Sequence, residues 1–449
     1  MMKNKAWLRK NQGRLSTMLS LSVVALGCVF CGAVAAIPQV DGLSTGGEEL
    51  KQGTRLTLSG SGFGVKEQAA PKLYDRGDVA YENGVPNFHQ KEFADGAEIL
   101  RPDEDPETIW TKSSNYTYGK PPILTRSRPH RTAYLDSHYY MDGPKGYLGW
   151  PSVISEDNSV FKQEKFYFSW WTKVKAHPHN YYQYYLSERQ GEFIIDKSLK
   201  LGEEVILSNG KTGRILEIDV LDDGSEIIHI DIDGAKRSDE GATITGIKSG
   251  AKAILFDRYK DPGSNKFTRI WDNPKGDALR YSWTNDGMKG MSGESATDWI
   301  GQARKWVHME VYGDLTKYVT LAWVDQQLNH EVPMVEMKND PEYSANIGLV
   351  GLDGKVQTYQ ETEVSELYFD YSPQRIMLGN APLWEDVTHA EIQFPLAWSQ
   401  NSVQFDLDLG SFEQITGGLY LYVFDDNNVN NAIGKRLCVD CKAPPSPAQ

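Results

Sequence analysis

The chain has 449 residues, with 47 Lys and Arg against 61 Asp and Glu, and a net charge of −14. That balance argues against nucleic acid and anionic membrane as partners, because both demand a basic footprint. The length predicts two to four domains.

Residues 1–36 carry Lys3, Lys5, Arg9, Lys10 and Arg14 and no acidic residue. An apolar run from Leu19 ends in Cys31-Gly32-Ala33-Val34-Ala35-Ala36. A basic start, an apolar middle and small residues at the end are the layout of a secretory signal peptide. Cleavage is expected near Ala36, giving a secreted or cell-surface protein. An uncleaved anchor and lipidation at Cys28 are the competing readings. No later stretch is apolar enough to span a bilayer, so no membrane insertion is expected after cleavage. Cys28 and Cys31 leave with the signal, and Cys438 and Cys441 remain. A zinc site needs about four ligands, and a thioredoxin-like pair belongs at a strand-to-helix junction. A local Cys438–Cys441 disulfide in an oxidising compartment is the expected use.

The mature chain has almost no helical period. Short alternating runs separated by Gly, Asn and Asp recur throughout, which predicts an all-β protein. In the opening stretch Leu56 and Leu58 alternate with Thr57 and Ser59, and Gly60, Gly62 and Gly64 turn the chain. This run resembles the first strands of TIG/IPT immunoglobulin-like domains and is assigned to residues 37–75. Residues 90–150 are polar and rich in loop formers, and long surface connections or edge strands are expected there. From Lys165 the pattern sharpens: Phe166, Phe168, Trp170 and Val174 fall on one face, Tyr167, Ser169, Trp171, Lys173 and Lys175 on the other. Lys266–Asn273, Ala278–Asp286 and Lys305–Leu315 continue in the same style. Their order resembles the strands of concanavalin A-like lectin and glucanase sandwiches. The resemblance implies a β-sandwich built from residues 76–189 and 255–372.

Residues 190–254 interrupt that unit. Asn209-Gly210 and Asp223-Gly224 are hairpin signals, and short strands about eight residues apart predict a small β-barrel-like insert. Within it, Glu217, Asp219 and Asp222 nearly match the E-x-D-x-x-E strand of laminarinase-type hydrolases. Asp222-Asp223-Gly224 reads as the turn itself, however. Alternation with Ile218, Val220, Ile228, Ile230 and Ile232 then explains Asp219, Glu226, Asp231 and Asp233 as the wet face of a hairpin. Residues 373–441 alternate again, at Val403, Phe405, Leu407 and Leu409 and at Leu419, Leu421 and Val423, and are expected to form an Ig-like module. Residues 442–449 read as a disordered tail.

The sharpest site candidate is the strand around Lys305–Leu315. If Val307, Met309 and Val311 are buried, Trp306, His308, Glu310 and Tyr312 share the opposite, exposed or cleft-lining face. Trp171, Arg269 and Trp271 are expected to join them as ligand-binding residues. His308, Glu310 and Tyr312, with Arg269, have the residue types a catalytic acid–base site requires. A polar outer face, or one covered by a neighbouring domain, explains the same row without a ligand. Other signals are incomplete: Gly290–Glu294 misses a nucleophile-elbow motif at its last position, and His330 lacks a second zincin histidine. His177 and His179 have no third ligand nearby. The oxygen-rich run from Asp425 makes calcium possible, but a turn explains it too; no other cofactor is expected. Tyr181, Tyr182, Tyr184 and Tyr185 suit sugar stacking or a covered sheet edge. The preferred expectation is therefore non-catalytic binding of a polysaccharide or cell-surface glycan, in lectin-like adhesion. A polysaccharide lyase or glycoside hydrolase is the second reading, and a structural subunit of an extracellular appendage or particle the third.

Overall fold

The computed structural model describes residues 37–111, 121–142, 145–155, 163–175, 199–220, 226–232, 239, 241–255, 266–271, 280–284, 287–290, 293–295, 297–333, 345–353, 361–415 and 418–438. Within them the chain is an all-β protein built from five antiparallel sheets. The proposed signal segment, Tyr181–Tyr185, His177, His179, the turn at Asp222–Gly224 and Cys441 lie outside the described residues.

A central eleven-stranded sheet carries the neighbouring strands Gln327–Pro333, Val319–Val324, Val307–Asp314, Lys165–Val174 and Glu361–Asp370. His138–Asp142 and Leu73–Asp75 both pair with the last of these. A six-stranded sheet, with Lys266–Trp271 between Arg280–Thr284 and Asn346–Asp353, lies opposite. The main core fills the space between them. Phe166, Phe168, Trp170 and Val174 enter it from the central sheet, as do Val307, Met309 and Val311. Phe267, Ile270, Tyr281 and Trp283 enter from the six-stranded sheet. These are the period-2 positions of their strands, so burial follows the alternation of side chains across a pleated strand.

The other face of the central sheet is also buried. Tyr74, Tyr167, Tyr312 and Tyr368 pack there against Met377, Val387, Ile392, Tyr422 and Phe424. The covering layer is a four-stranded sheet in the order Ala390–Gln393, Ile376–Gly379, Tyr420–Val423, Lys435–Arg436. Its reverse face supplies Ile376, Leu378, Leu421 and Val423 to a third core. Beyond that core lies the sheet Gln39–Ser44, Arg55–Ser61, Ser402–Asp406, Pro395–Ser399.

This arrangement corrects the expected division of the termini. Residues 37–75 and 373–441 are not two modules. Arg55–Ser61 pairs with Ser402–Asp406, setting Leu56 opposite Phe405 and Leu58 opposite Val403. Both chain ends thus build one two-sheet sandwich. Physically, a two-stranded ribbon is only marginally stable by itself, and its free edge needs a partner. The N-terminal part also ends sooner than expected, since Leu73–Asp75 already belongs to the central sheet. Gly64, at φ +74°, turns the chain between the two.

The inserted segment forms its own sheet, in the order Glu226–Ile232, Thr212–Val220, Glu204–Leu207, Thr243–Gly246, Lys252–Ile254. Val205, Leu207, Ile215, Ile228, Ile230, Ile232 and Ile244 make a core that shares no residue with the others. Gly210, at φ +86°, forms the first hairpin turn. Ile218 faces Ile228 across the next hairpin. A core closed within the segment predicts independence. Replacing residues 199–255 by a short Gly/Ser linker should leave a cooperatively folding protein, because lengthening or shortening a surface loop carries a modest entropic cost. Insoluble protein, or a collapse of the melting temperature, would refute this.

Candidate functional site

The strand Val307–Asp314 pairs with Lys165–Val174 so that His308 faces Trp171, Glu310 faces Ser169 and Tyr312 faces Tyr167. The row expected to be open is largely closed. His308 is 1% exposed, Glu310 2% and Tyr312 2%. The reason is the covering sheet, which the strand's own alternation does not reveal. Trp171 is buried as well, and only Trp306 is half-exposed. Arg269 lies on Lys266–Trp271, in the six-stranded sheet beyond the main core, so it does not join the row. Trp271 shares that strand, and its side chain lies outside the described residues. Parity gives the face of a strand, but not the sheet to which the strand belongs.

Under the cover the row is a paired polar network. The Tyr167 hydroxyl donates to Glu310 at 2.6 Å, and Arg375 approaches the same carboxylate at 3.9 Å. Tyr312 donates to Asp314 at 2.8 Å. The Gln326 amide donates to His308 Nδ1 at 2.9 Å, and the imidazole stacks on Trp171 with centroids 4.8 Å apart. Gln326 is held there by a two-residue hairpin turn in which Asp325 (φ +48°) and Gln326 (φ +63°) both lie in the left-handed region. Burial pushes the His308 pKa down to about 4, against the upward pull of Glu310 and Glu391.

Arg131 binds this layer to the central sheet. Its guanidinium lies over Trp171 at 4.1 Å. It donates to Glu391 of the covering sheet at 2.7 Å and to Glu366 of the central sheet. Glu366 sits at φ +49°. It is the extra residue of a bulge, since Ser169 pairs with Tyr368 and Trp171 with Ser365. Burial pushes Glu366 up to about 7 despite Arg131. Burial opposes ionisation of Glu391 too, but Arg131 and His389 together hold its pKa well below the usual carboxylate range.

Ser411, His389 and Glu391 have the composition of a catalytic triad and the wrong geometry. The Ser411 hydroxyl lies 2.7 Å from His389 Nε2, and Glu391 lies 2.8 Å from that same nitrogen. A relay needs the hydroxyl and the carboxylate on different ring nitrogens. Asp425 accepts from the backbone N–H groups of Asn427 and Val429 at 2.8 and 2.9 Å, which is the bonding of a turn. Among the described residues no group of three or more His, Cys, Asp or Glu is placed to hold a metal.

The open part of the face begins where the cover ends. The last paired residues are Thr172 and Val307. The Arg304 N–H donates to the Val174 carbonyl at 2.7 Å, so the strands stay together and Lys173 lies beside Trp306. The Lys173 ammonium is 5.3 Å from the Trp306 ring centre. The His138 ring meets Trp306 edge-on at 5.3 Å and 89°. Further across the sheet, Lys173 pairs with Glu363 and Glu363 with Tyr140. The loop before His138 folds over this end of the sheet. Arg128 lies on the Tyr140 ring at 3.6 Å, and His130 Nδ1 is 2.8 Å from His138 Nδ1.

Glu363 organises the cluster. One oxygen takes the Lys173 ammonium at 2.8 Å, and the other takes His138 Nε2 at 2.8 Å. That second bond places a proton on His138 Nε2, and His138 Nδ1 shares a hydrogen bond with His130 Nδ1. Burial pushes Glu363 up, yet His138 and Lys173 prevail and hold it below its ordinary value. The result is a half-exposed indole set among fixed donors on a rigid sheet. Of the expected residues, Trp306 belongs to this region, and Trp171 lies next to it on the same face, under the cover. Arg128, His130, His138, Tyr140, Lys173 and Glu363 were not expected. A signal existed: Arg126, Arg128, His130 and Arg131 crowd six positions of an acidic chain, and His138, Tyr140 and Asp142 then alternate.

No family model matches the chain, and no curated protein matches it. Among solved structures, the cellulose-induced protein Cip1 is similar at TM-score 0.24 and 11% identity, over 60% of this chain and 96% of that one. A putative sugar-binding protein from Bacteroides thetaiotaomicron gives TM-score 0.22 and 10% identity, over 61% and 94%. The binding domain of botulinum neurotoxin serotype D gives 0.22 and 10%, over 55% of this chain and 42% of that structure. Likeness at this level does not identify what the chain binds.

The depressed His308 pKa makes stability depend on pH. The folded imidazole titrates at about 4 and the ordinary one at 6.5. Between those values the unfolded chain holds a proton that the folded chain lacks, so stability rises with pH across that window. Acidification from pH 6.5 to 4 should cost about 3 kcal/mol through this group. Asp75, pushed up to about 6 by burial, and Glu366 act with the opposite sign. The difference from a His308→Gln variant isolates the histidine. In urea titrations the wild type should lose more stability than the variant over this range, and parallel losses would refute the assignment.

Proposed function

We propose that this protein is a secreted, non-catalytic glycan-binding protein whose ligand site is the open patch around Trp306. In this reading the central and six-stranded sheets form a concanavalin A-like sandwich. The terminal sandwich begins with TIG/IPT-like strands. The observation that carries the proposal is the half-exposed Trp306 ring, flanked by the Lys173 ammonium at 5.3 Å and the His138 ring at 5.3 Å. A sugar offers an apolar C–H face and a rim of hydroxyls. An indole answers the first, and the Lys173 ammonium fixed beside it answers the second. Rigidity helps, because groups already held in place lose less entropy on binding.

The burial of His308, Glu310 and Tyr312 favours binding over catalysis at that row, since a substrate would have to displace the covering sheet to reach them. Glycan binding should therefore depend on the patch alone. On an array of polysaccharides, Trp306→Ala should weaken the best ligand by about 1–3 kcal/mol, by analogy with aromatic hot spots. Glu310→Gln should leave affinity unchanged in folded protein. Product formation lost on Glu310→Gln would instead restore the lyase or glycosidase reading.

Secretion rests on the basic-then-apolar residues 1–36, and the Cys438–Cys441 disulfide rests on that compartment. Denatured, unreduced protein recovered from outside the cell should titrate with no free thiol. Two thiols per chain would overturn both expectations.

A further inference from the structure

Cations crowd one end of this acidic protein's central sheet, around the only half-exposed member of the Trp306 row. Lys173 lies on the strand Lys165–Val174 and Lys175 just past its end, two residues apart. Arg304 is bonded through its backbone to Val174, between them. Arg128 arrives from a separate loop. Like charges on neighbouring positions cost stability unless they are paired.

The carboxylates present are placed to hold these cations. Glu363 is 6% exposed at its side chain, whereas Lys173 is 24% exposed and Arg128 36%. Both Glu363 oxygens are occupied, by Lys173 and His138. Glu361 is shared between Arg128 and Lys175, each at 3.1 Å. Glu363 lies low, with Oε1 shared by Lys173 and Arg128, whereas Glu361 is as exposed as Lys175, at 27%. Arg128 lies over the Tyr140 ring at 3.6 Å, and it spends NH1 on the glutamates. Its Nε and NH2 make no hydrogen bond among the described residues, and a guanidinium edge of this kind suits a planar, two-oxygen anion.

We infer that the Trp306 patch selects acidic glycans, with the sugar ring on Trp306 and its carboxylate or sulfate between Lys173 and Arg128. This rests on the glycan-binding reading and adds the ligand's charge. The Lys173 ammonium lies over one face of the indole, so a sugar stacks on the rest of the ring with its anionic substituent reaching the ammonium. Arg128, across Tyr140, reaches in from the other side. His138 is committed to Glu363 and His130, and acts here only by holding Glu363 in place.

The test is equilibrium binding of the full chain to three polymers at low and moderate salt: a polyuronate, the same polyuronate with its carboxyl groups reduced to alcohols, and a sulfated galactan. The expected result is binding of at least one acidic polymer that falls steeply with salt. The reduced polymer should bind about tenfold or more weakly. Preference between the polyuronate and the sulfated polymer identifies the anion. Lys173→Met and Arg128→Gln should each weaken acidic binding, while Lys173→Arg should keep most of it. The polymer comparison needs no variant, so a misfolded mutant leaves the test intact. Equal affinity for the polyuronate and its reduced form would overturn the inference and leave glycan binding standing. Acidic binding indifferent to Lys173 and Arg128 in folded variants would also overturn it. Failure of every glycan on the array, neutral ones included, would overturn the glycan reading itself.

Discussion

Both faces of the central sheet are buried, and the charged groups on its second face are paired there. Main-core residues fill one side without conflict. The other side carries His308, Glu310, Glu366 and a run of tyrosines, and the covering sheet lies on them. An unpaired charge in such a place costs several kcal/mol. The arrangement of Arg131, Arg375, Glu391 and Gln326 follows from that demand. Tyrosine suits the layer because its ring packs while its hydroxyl finds an acceptor, as Tyr167 does on Glu310 and Tyr312 on Asp314.

Arg131 is the clearest case. Its side chain is 1% exposed and bridges carboxylates from two sheets. A buried ion pair is seldom more stable than a well-packed apolar substitute. What it supplies here is position. Glu366 occupies a left-handed bulge and Glu391 sits on the strand Ala390–Gln393, so the guanidinium is satisfied only when the covering sheet stands at one place on the central sheet. Lys66 repeats the device at another point, 2.7 Å from Asp370 and within 5.5 Å of the Trp398 ring centre. The terminal sandwich is therefore located by charge and by tyrosines together.

Much of this was legible, and the limits have a physical cause. Alternation placed Phe166, Phe168, Trp170, Val307, Met309 and Val311 in the core, because a strand's side chains take opposite faces whatever its partners are. The same rule could not pair Leu56 with Phe405, since partners hundreds of residues apart leave no local trace. It could not separate Arg269 from His308, which lie on different sheets. Nor could it see the cover over His308, because a row of polar residues looks alike under water and under a satisfied polar layer. The Arg128–Arg131 loop carried a signal in its composition, but its use depends on lying over Tyr140 and His138, a tertiary fact.

The candidate site follows from where the cover stops. Along the strands Lys165–Val174 and Val307–Asp314, Tyr167 and Tyr312 lie deep beneath the covering sheet, and Trp171 and His308 are still enclosed. One pair further, Lys173 and Trp306 reach partial exposure. Exposure thus changes just past the last paired residues, Thr172 and Val307. Beside the patch, Trp171 is held by Arg131 and His308, which both contact its ring. The patch's far wall is held by the Glu363–His138–His130 chain. Buried pairing that gives little net stability to the fold gives rigidity to its open edge. A surface that neither collapses nor rearranges can spend its contacts on a ligand rather than on its own ordering.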